Sequence, residues 1–127
     1  MHENRITARI VDAAVEIHRT LGPGLFESVY ESVLAFELEG RGLRVERQKG
    51  LPVVFKGRDM GVGFRLDLLV ESRVVVEVKS VEALAPVHTR QLITYLRLAD
   101  VRVGLLLNFN VNLMRDGIKR FVDRLEG

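Results

Sequence analysis

At 127 residues and 47% hydrophobic, the chain is long enough for one core and too short for two. It has no cysteine, which excludes disulfides and thiolate metal sites; no run reaches the roughly 18–20 apolar residues of a membrane span, and MHENRITARIVD lacks a signal peptide's apolar centre, so a single cytoplasmic domain over residues 1–127 with no membrane partner is expected. The net charge of +2 is far from that of a DNA-coating protein, yet residues 1–40 carry −4 and residues 41–84 and 85–127 carry +3 each, with 15 arginines among 19 cations, so a polyanionic partner is permitted.

Ile6, Ile10, Ala13, Ala14, Ile17 and Leu21 recur at helical spacing opposite Arg9, Asp12, Glu16 and Arg19. This predicts an amphipathic first helix, capped by Asn4 and stopped by Gly22-Pro23-Gly24. His18, near its end, reads as a partly buried histidine or one held by the helix dipole. A second helix is predicted over about 25–39, with Phe26, Val29, Tyr30, Val33, Leu34 and Leu38 as its stripe and Gly40 and Gly42 at its end. On its edge, Glu27 is placed to cap the helix start or to point inward as an acidic ligand; spacing favours the cap.

Leu51, Val53 and Phe55 alternate as a strand near 51–56 does, with a ragged extension at 43–47, and Pro52 suits an edge or a strand start. The next stretch, GFRLDLLVESRVVVEVKS over 63–80, holds two apolar runs around Glu71-Ser72-Arg73, the spacing of a β-hairpin. If Val70 pairs with Val74, Asp67 lies opposite Glu77 and the period of two sets Lys79 on the same face. Facing carboxylates repel, and burial worsens the repulsion. A divalent metal held by Asp67, Glu77 and the Val78 carbonyl resolves the conflict, and oxygen ligands suit Mg²⁺ or Mn²⁺. A solvated face, with the carboxylates paired to Arg65 and Lys79, is the competing reading.

Pro86 suits the first turn of a helix running to about residue 98, with Leu92, Ile93, Leu96 and Ala99 facing the core. His88, Gln91 and Tyr95 share a second face, and Arg90, Thr94 and Arg97 a third that reads either as a solvated ridge or as a phosphate contact. RVGLLLNF over 102–109 has the unbroken apolarity of a central strand buried on both sides. Ile118, Phe121, Val122 and Leu125 predict a closing helix, with Arg115, Lys119, Arg120 and Arg124 outside.

Asp67 followed by Glu77-Val78-Lys79 on the next strand resembles the D…(D/E)xK signature of the PD-(D/E)xK nuclease superfamily. Gly24-Leu25-Phe26-Glu27-Ser28-Val29-Tyr30 is similar to the pattern that names the GxxExxY family within it. IHRTLGPG, RLDLLVE, VEVKS, PVHTRQLITYL and VGLLLNF extend that resemblance over nearly the whole chain. The resemblance implies an α/β, restriction-endonuclease-like mixed sheet of about four strands with an α-β-β-β-α-β core, helices on both faces, and extra helices at both ends. It also implies Mg²⁺- or Mn²⁺-dependent hydrolysis of nucleic acid phosphodiesters, DNA favoured over RNA. Asp67 and Glu77 would bind metal and Lys79 support the nucleophilic water, while Glu27 would be a further active-site carboxylate. Gln91 and Tyr95 match the QxxxY spacing of helicase-associated exonucleases of the superfamily, which gives Gln91 an orienting role and Tyr95 a contact to the backbone of the nucleic acid; an amide and a phenol bridging helix to sheet is the alternative. Two other functions stay open, a non-catalytic nucleic-acid-binding module and a partner-binding structural domain. A homodimer or a targeting partner is compatible with the nuclease reading.

Overall fold

The computed structural model describes residues 1–124. Helix α1 (Glu3–Leu21) and helix α2 (Glu27–Gly40) precede strands β1 (Val45–Phe55), β2 (Arg58–Val70) and β3 (Val74–Lys79). Helix α3 (Pro86–Ala99), strand β4 (Val103–Asn108), a 3₁₀ turn (Met114–Gly117) and strand β5 (Ile118–Val122) follow. The strands form one sheet in the order β1-β2-β3-β4-β5, parallel only between β3 and β4 and antiparallel elsewhere. This is the mixed α/β sheet expected of a restriction-endonuclease-like fold, with five strands instead of about four. No helix among the described residues is long and apolar enough to cross a membrane.

Two cores sandwich the sheet. Ile6, Ile10 and Ile17 of α1 and Tyr30, Leu34 and Leu38 of α2 pack on Leu68, Val70, Val74, Val76 and Val78. On the other side Leu92 and Leu96 of α3 pack on Leu66, Leu69, Val75 and Leu106. Strand β4 contributes to both cores and is buried throughout, as an unbroken apolar run requires.

Several local expectations are corrected. Asn4 lies inside α1, and the cap is His2, whose Nδ1 accepts the Asn4 amide at 3.0 Å. The Asn4 side chain instead accepts a hydrogen bond from Arg120. The single strand near 51–56 is an eleven-residue strand beginning at Val45. It turns into β2 through Lys56 and Gly57 alone, both at positive φ (53° and 75°), the signature of a tight type I′ hairpin. Pro52 sits on β1, an edge strand, where its missing N–H costs no interior ladder bond.

The largest correction is at the carboxyl end. Ile118, Phe121 and Val122 form strand β5, not a helix, while Leu125 lies outside the described residues. Their i, i+3, i+4 spacing is helical, but β4 is fully buried and its backbone groups on the side away from β3 need partners. β5 supplies them from Val103↔Val122 to Leu107↔Ile118. The turn between these strands depends on Gly117: a Cβ there would lie 2.0 Å from the Asn108 carbonyl oxygen. Gly117→Ala is therefore expected to lower stability by about 1–3 kcal/mol, read as a fall of several degrees in thermal melting, because backbone has to move.

Candidate active site

Strands β2 and β3 pair at Val70↔Val74, Leu69↔Val75 and Leu68↔Val76, and there the ladder stops. One step further Asp67 and Glu77 face each other as the hairpin register requires. The strands are held there by carboxylates instead of carbonyls: the Asp67 amide donates to Glu77 Oε2 at 2.8 Å, and the Val78 amide donates to Asp67 Oδ2 at 2.9 Å. The two side chains plug the gap where the sheet splays.

Asp67 is also where β2 changes face. Leu66 belongs to the α3-side core and Leu68 to the α1/α2-side core, although a regular strand would put both on one side. The partner strand breaks at the same level, for the β1–β2 pairs run Arg47↔Leu68 and Lys49↔Leu66 with Gln48 opposite Asp67 left out. Gln48 has φ 49° and swings its amide to Glu31 Oε1 at 2.6 Å and to Asp67 Oδ1 at 3.4 Å. The irregularity breaks the shared face expected for Arg65 and Asp67. Among the described residues neither Asp67 nor Glu77 has an ion pair, so the arginine-satisfied reading of the pair loses its support.

Glu77 is 4% exposed, and its carboxyl is pushed up to about 8, first by burial and next by the charge of Asp67. The Asp67 carboxyl is raised as well, mainly by burial, against the pull of the Val78 amide. Lys79 draws both down, but less than burial raises them. The site is thus short of positive charge. Among the described residues no cluster of three or more His, Cys, Asp or Glu side chains is poised to hold a metal. What is present is a pair of carboxylates on adjacent strands, a donor set that fits a hard cation with water completing its shell.

The remaining sequence candidates fall into two groups. Glu27 opens α2 with its side chain exposed, and its Oε1 is 3.4 Å from the Ser80 amide, one residue past Lys79. Ser80 Oγ donates to the Leu25 carbonyl at 2.6 Å, which pins the start of α2 to the end of β3. Tyr30 fixes the same corner: its hydroxyl donates to the Gly22 carbonyl and accepts the Leu25 amide, while its ring stacks on Phe109 at 4.4 Å. Tyr95 stacks on Phe64 at 4.8 Å, and its hydroxyl pKa is raised by burial and by the charges of Glu77 and Asp67, so it stands within their field. Gln91 is exposed one turn earlier on α3. Arg90 and Arg97 are also exposed, and Arg90 lines a groove with Pro86, Thr89 and Lys119 on the flank of α3. His88 is a capping residue whose Nδ1 accepts the Ala85 amide at 3.0 Å, and His18 bonds the Val111 carbonyl through Nε2 at 2.7 Å.

Glu31 escaped the sequence reading. It is buried on α2, its Oε2 is 3.1 Å from Arg47, and its charge raises both Asp67 and Glu77. It follows Glu27 by one helical turn, a signal available in the sequence, but its partners Arg47 and Gln48 come from β1, which helical periodicity does not reveal.

A mixed sheet that splays at a carboxylate pair beside a lysine, with helices on both faces, defines a nuclease-like α/β fold. The chain belongs to the PD-(D/E)XK nuclease superfamily, whose family model matches residues 4–121. Neither a curated protein nor a solved structure matches it.

Proposed function

We propose that the protein is a metal-dependent nuclease that hydrolyses phosphodiester bonds, with DNA as its preferred substrate. The observation that carries this reading is the buried, cation-poor pair of Asp67 and Glu77 beside Lys79. Asp67, Glu77 and the Val78 carbonyl would hold Mg²⁺ or Mn²⁺. Such an ion lowers the pKa of bound water and offsets charge on the phosphate.

The chain's own groups do the rest. Hydrolysis forms a bond from water oxygen to phosphorus and breaks the bond to one sugar oxygen, so the water must be aimed and the extra negative charge neutralised. Lys79 holds the attacking water and donates to the developing charge. Glu27, tied to the end of β3 through Ser80, aligns that water. Gln91 hydrogen-bonds the scissile phosphate, and Tyr95 bonds the adjoining backbone. Arg90 and Arg97 contact phosphates farther along the strand.

The test is incubation of end-labelled duplex DNA, single-stranded DNA and RNA with purified protein in Mg²⁺, Mn²⁺ or chelator. Metal-dependent cleavage that Asp67→Asn abolishes is expected. A preparation that binds metal yet cuts none of the three substrates would overturn the reading.

A further inference from the structure

Among the described residues, the outer parts of β1 and β2 have no third strand. β3 pairs with β2 only over Leu68–Val70; past that point β1 and β2 first pack on α3 through Leu51, Phe64 and Leu66 and then project beyond the sheet as a two-stranded ribbon over residues 52–63. Counted along β1, since β2 carries extra residues where the register shifts between Pro52 and Val54, about eight residues from the level of Asp67 to the turn at Lys56, at ~3.3 Å each, give a reach of roughly 26 Å. The surface of this ribbon is unusual in two respects. It exposes large apolar side chains along its length, with Phe55 at 62% beside the turn and Val62 at 68% nearer the sheet, together with Val54 and Met60. Residues 49–65 also hold four cations and one carboxylate, a net +3 against +2 for the whole chain. Lys49 is paired with Glu46, whereas Lys56, Arg58 and Arg65 have no ion-pair partner among the described residues.

We infer that this ribbon is a grip for duplex DNA that lies in the major groove next to the carboxylate site; the inference rests on the nuclease reading and narrows its substrate to the double strand. The groove of B-form DNA, about 12 Å wide, admits a two-stranded ribbon, while the deep, narrow major groove of duplex RNA does not. Lys56, Arg58 and Arg65 meet the phosphates on the groove walls, and Phe55 and Val62 supply apolar contact to base edges and thymine methyls. The positive tip also decides against a second copy of the chain as the occupant, since apposing two tips would bring like charges together. The distance from Asp67 to the turn, roughly 26 Å, is shorter than one turn of duplex, ~34 Å, so a phosphate at Asp67 and a groove gripped at Phe55 fit one continuous substrate.

The test compares the full-length protein with a Phe55→Thr, Lys56→Asn, Arg58→Thr variant. Threonine suits a strand and asparagine suits the positive φ of the turn, so unchanged circular dichroism and melting are expected. Anisotropy titrations in chelator would use a 20-base-pair DNA, the same sequence as duplex RNA, and single-stranded DNA, over a salt series. Duplex DNA should bind at least tenfold tighter than the other two. The triple variant should lose at least tenfold of that affinity, with a salt slope shallower by about two. The Lys56→Asn single variant, which best fits the turn, should lose a few-fold by itself.

The inference is overturned if wild type binds duplex RNA or single strands as well as duplex DNA, binds no duplex at all, or is unaffected by the triple variant. It is also overturned if wild type sediments as a dimer that the triple variant dissociates. Cleavage in Mg²⁺ or Mn²⁺ is scored separately. Ribbon-dependent duplex binding without cleavage would sink the nuclease reading alone, and duplex cleavage indifferent to the ribbon would sink this one alone.

Discussion

Glu77→Gln is expected to raise the melting temperature of the metal-free protein at pH 8 and above, while leaving it nearly unchanged at pH 4.5. The wild-type carboxyl holds its proton up to about pH 8 in the folded chain, against an ordinary value of 4.5 that the unfolded chain recovers. Between those values the folded state binds the extra proton, so stability falls as pH rises. The favourable contribution is complete only below about pH 4.5 and is gone above pH 8. Over that window the loss is on the order of 3–5 kcal/mol. Glutamine is nearly isosteric and neutral, and its carbonyl still accepts the Asp67 amide, so the variant escapes the penalty. The raised carboxyl of Asp67 has the same sign and steepens the wild-type slope. Millimolar Mg²⁺ or Mn²⁺ should lift the wild-type melting temperature at pH 8 and leave Glu77→Gln unmoved, because only the anionic pair binds a cation with useful strength. Differential scanning calorimetry in chelator and in metal, from pH 4.5 to 9, reads all of this. Wild type equally stable at both ends of that range in chelator would show that the pair is not strained.

Lys79→Ala is expected to separate catalysis from metal binding. The lysine follows Glu77 by two residues on the last pair of the β3–β4 ladder, Lys79↔Asn108, where the strand is held firmly. Asn108 locks the residues after it: its Oδ1 accepts the Val81 amide at 3.1 Å and its Nδ2 donates to the Val81 carbonyl at 3.0 Å. An ammonium carried on that strand, with no ion pair among the described residues, would stabilise charge in the transition state more than in the ground state. Its removal should cost about 10²–10³-fold in the rate of metal-dependent cleavage. The stabilisation by metal at pH 8 should persist, since the carboxylates remain. Single-turnover rates beside the calorimetry make the comparison. A Lys79→Ala protein that cuts at the wild-type rate would remove the lysine from the mechanism.

Much of this site could be read in the residues themselves. Two apolar runs around Glu71-Ser72-Arg73 admit a single favourable hairpin register, and that register by itself brings Asp67 to Glu77. The helices were legible for the same reason, because Ile6, Ile10, Ala13 and Ile17, or Tyr30, Leu34 and Leu38, repeat one environment at one period. Glu31 was not legible, and neither was the part played by Gln48. Each depends on an unpaired kink at Gln48 where β1 and β2, whose paired residues lie as far as 25 positions apart, reverse the faces they present. The aromatic pair Phe64 and Tyr95 was likewise invisible, since it joins a strand to a helix 31 residues later.

Local pattern and register, which act over a few residues, determined the helices, the hairpin and the opposition of two carboxylates beside a lysine. Only the tertiary structure decided what those carboxylates experience. How far Glu77 is buried, that among the described residues it has no ion pair, and that Glu31 adds a third negative field depend on elements brought together from across the chain. The closing residues show the same division: Ile118, Phe121 and Val122 have helical spacing, and they became a strand because β4 had an edge whose buried N–H and C=O groups required pairing. A periodicity reports what a segment can bury, whereas the partner it must satisfy is set by the rest of the fold.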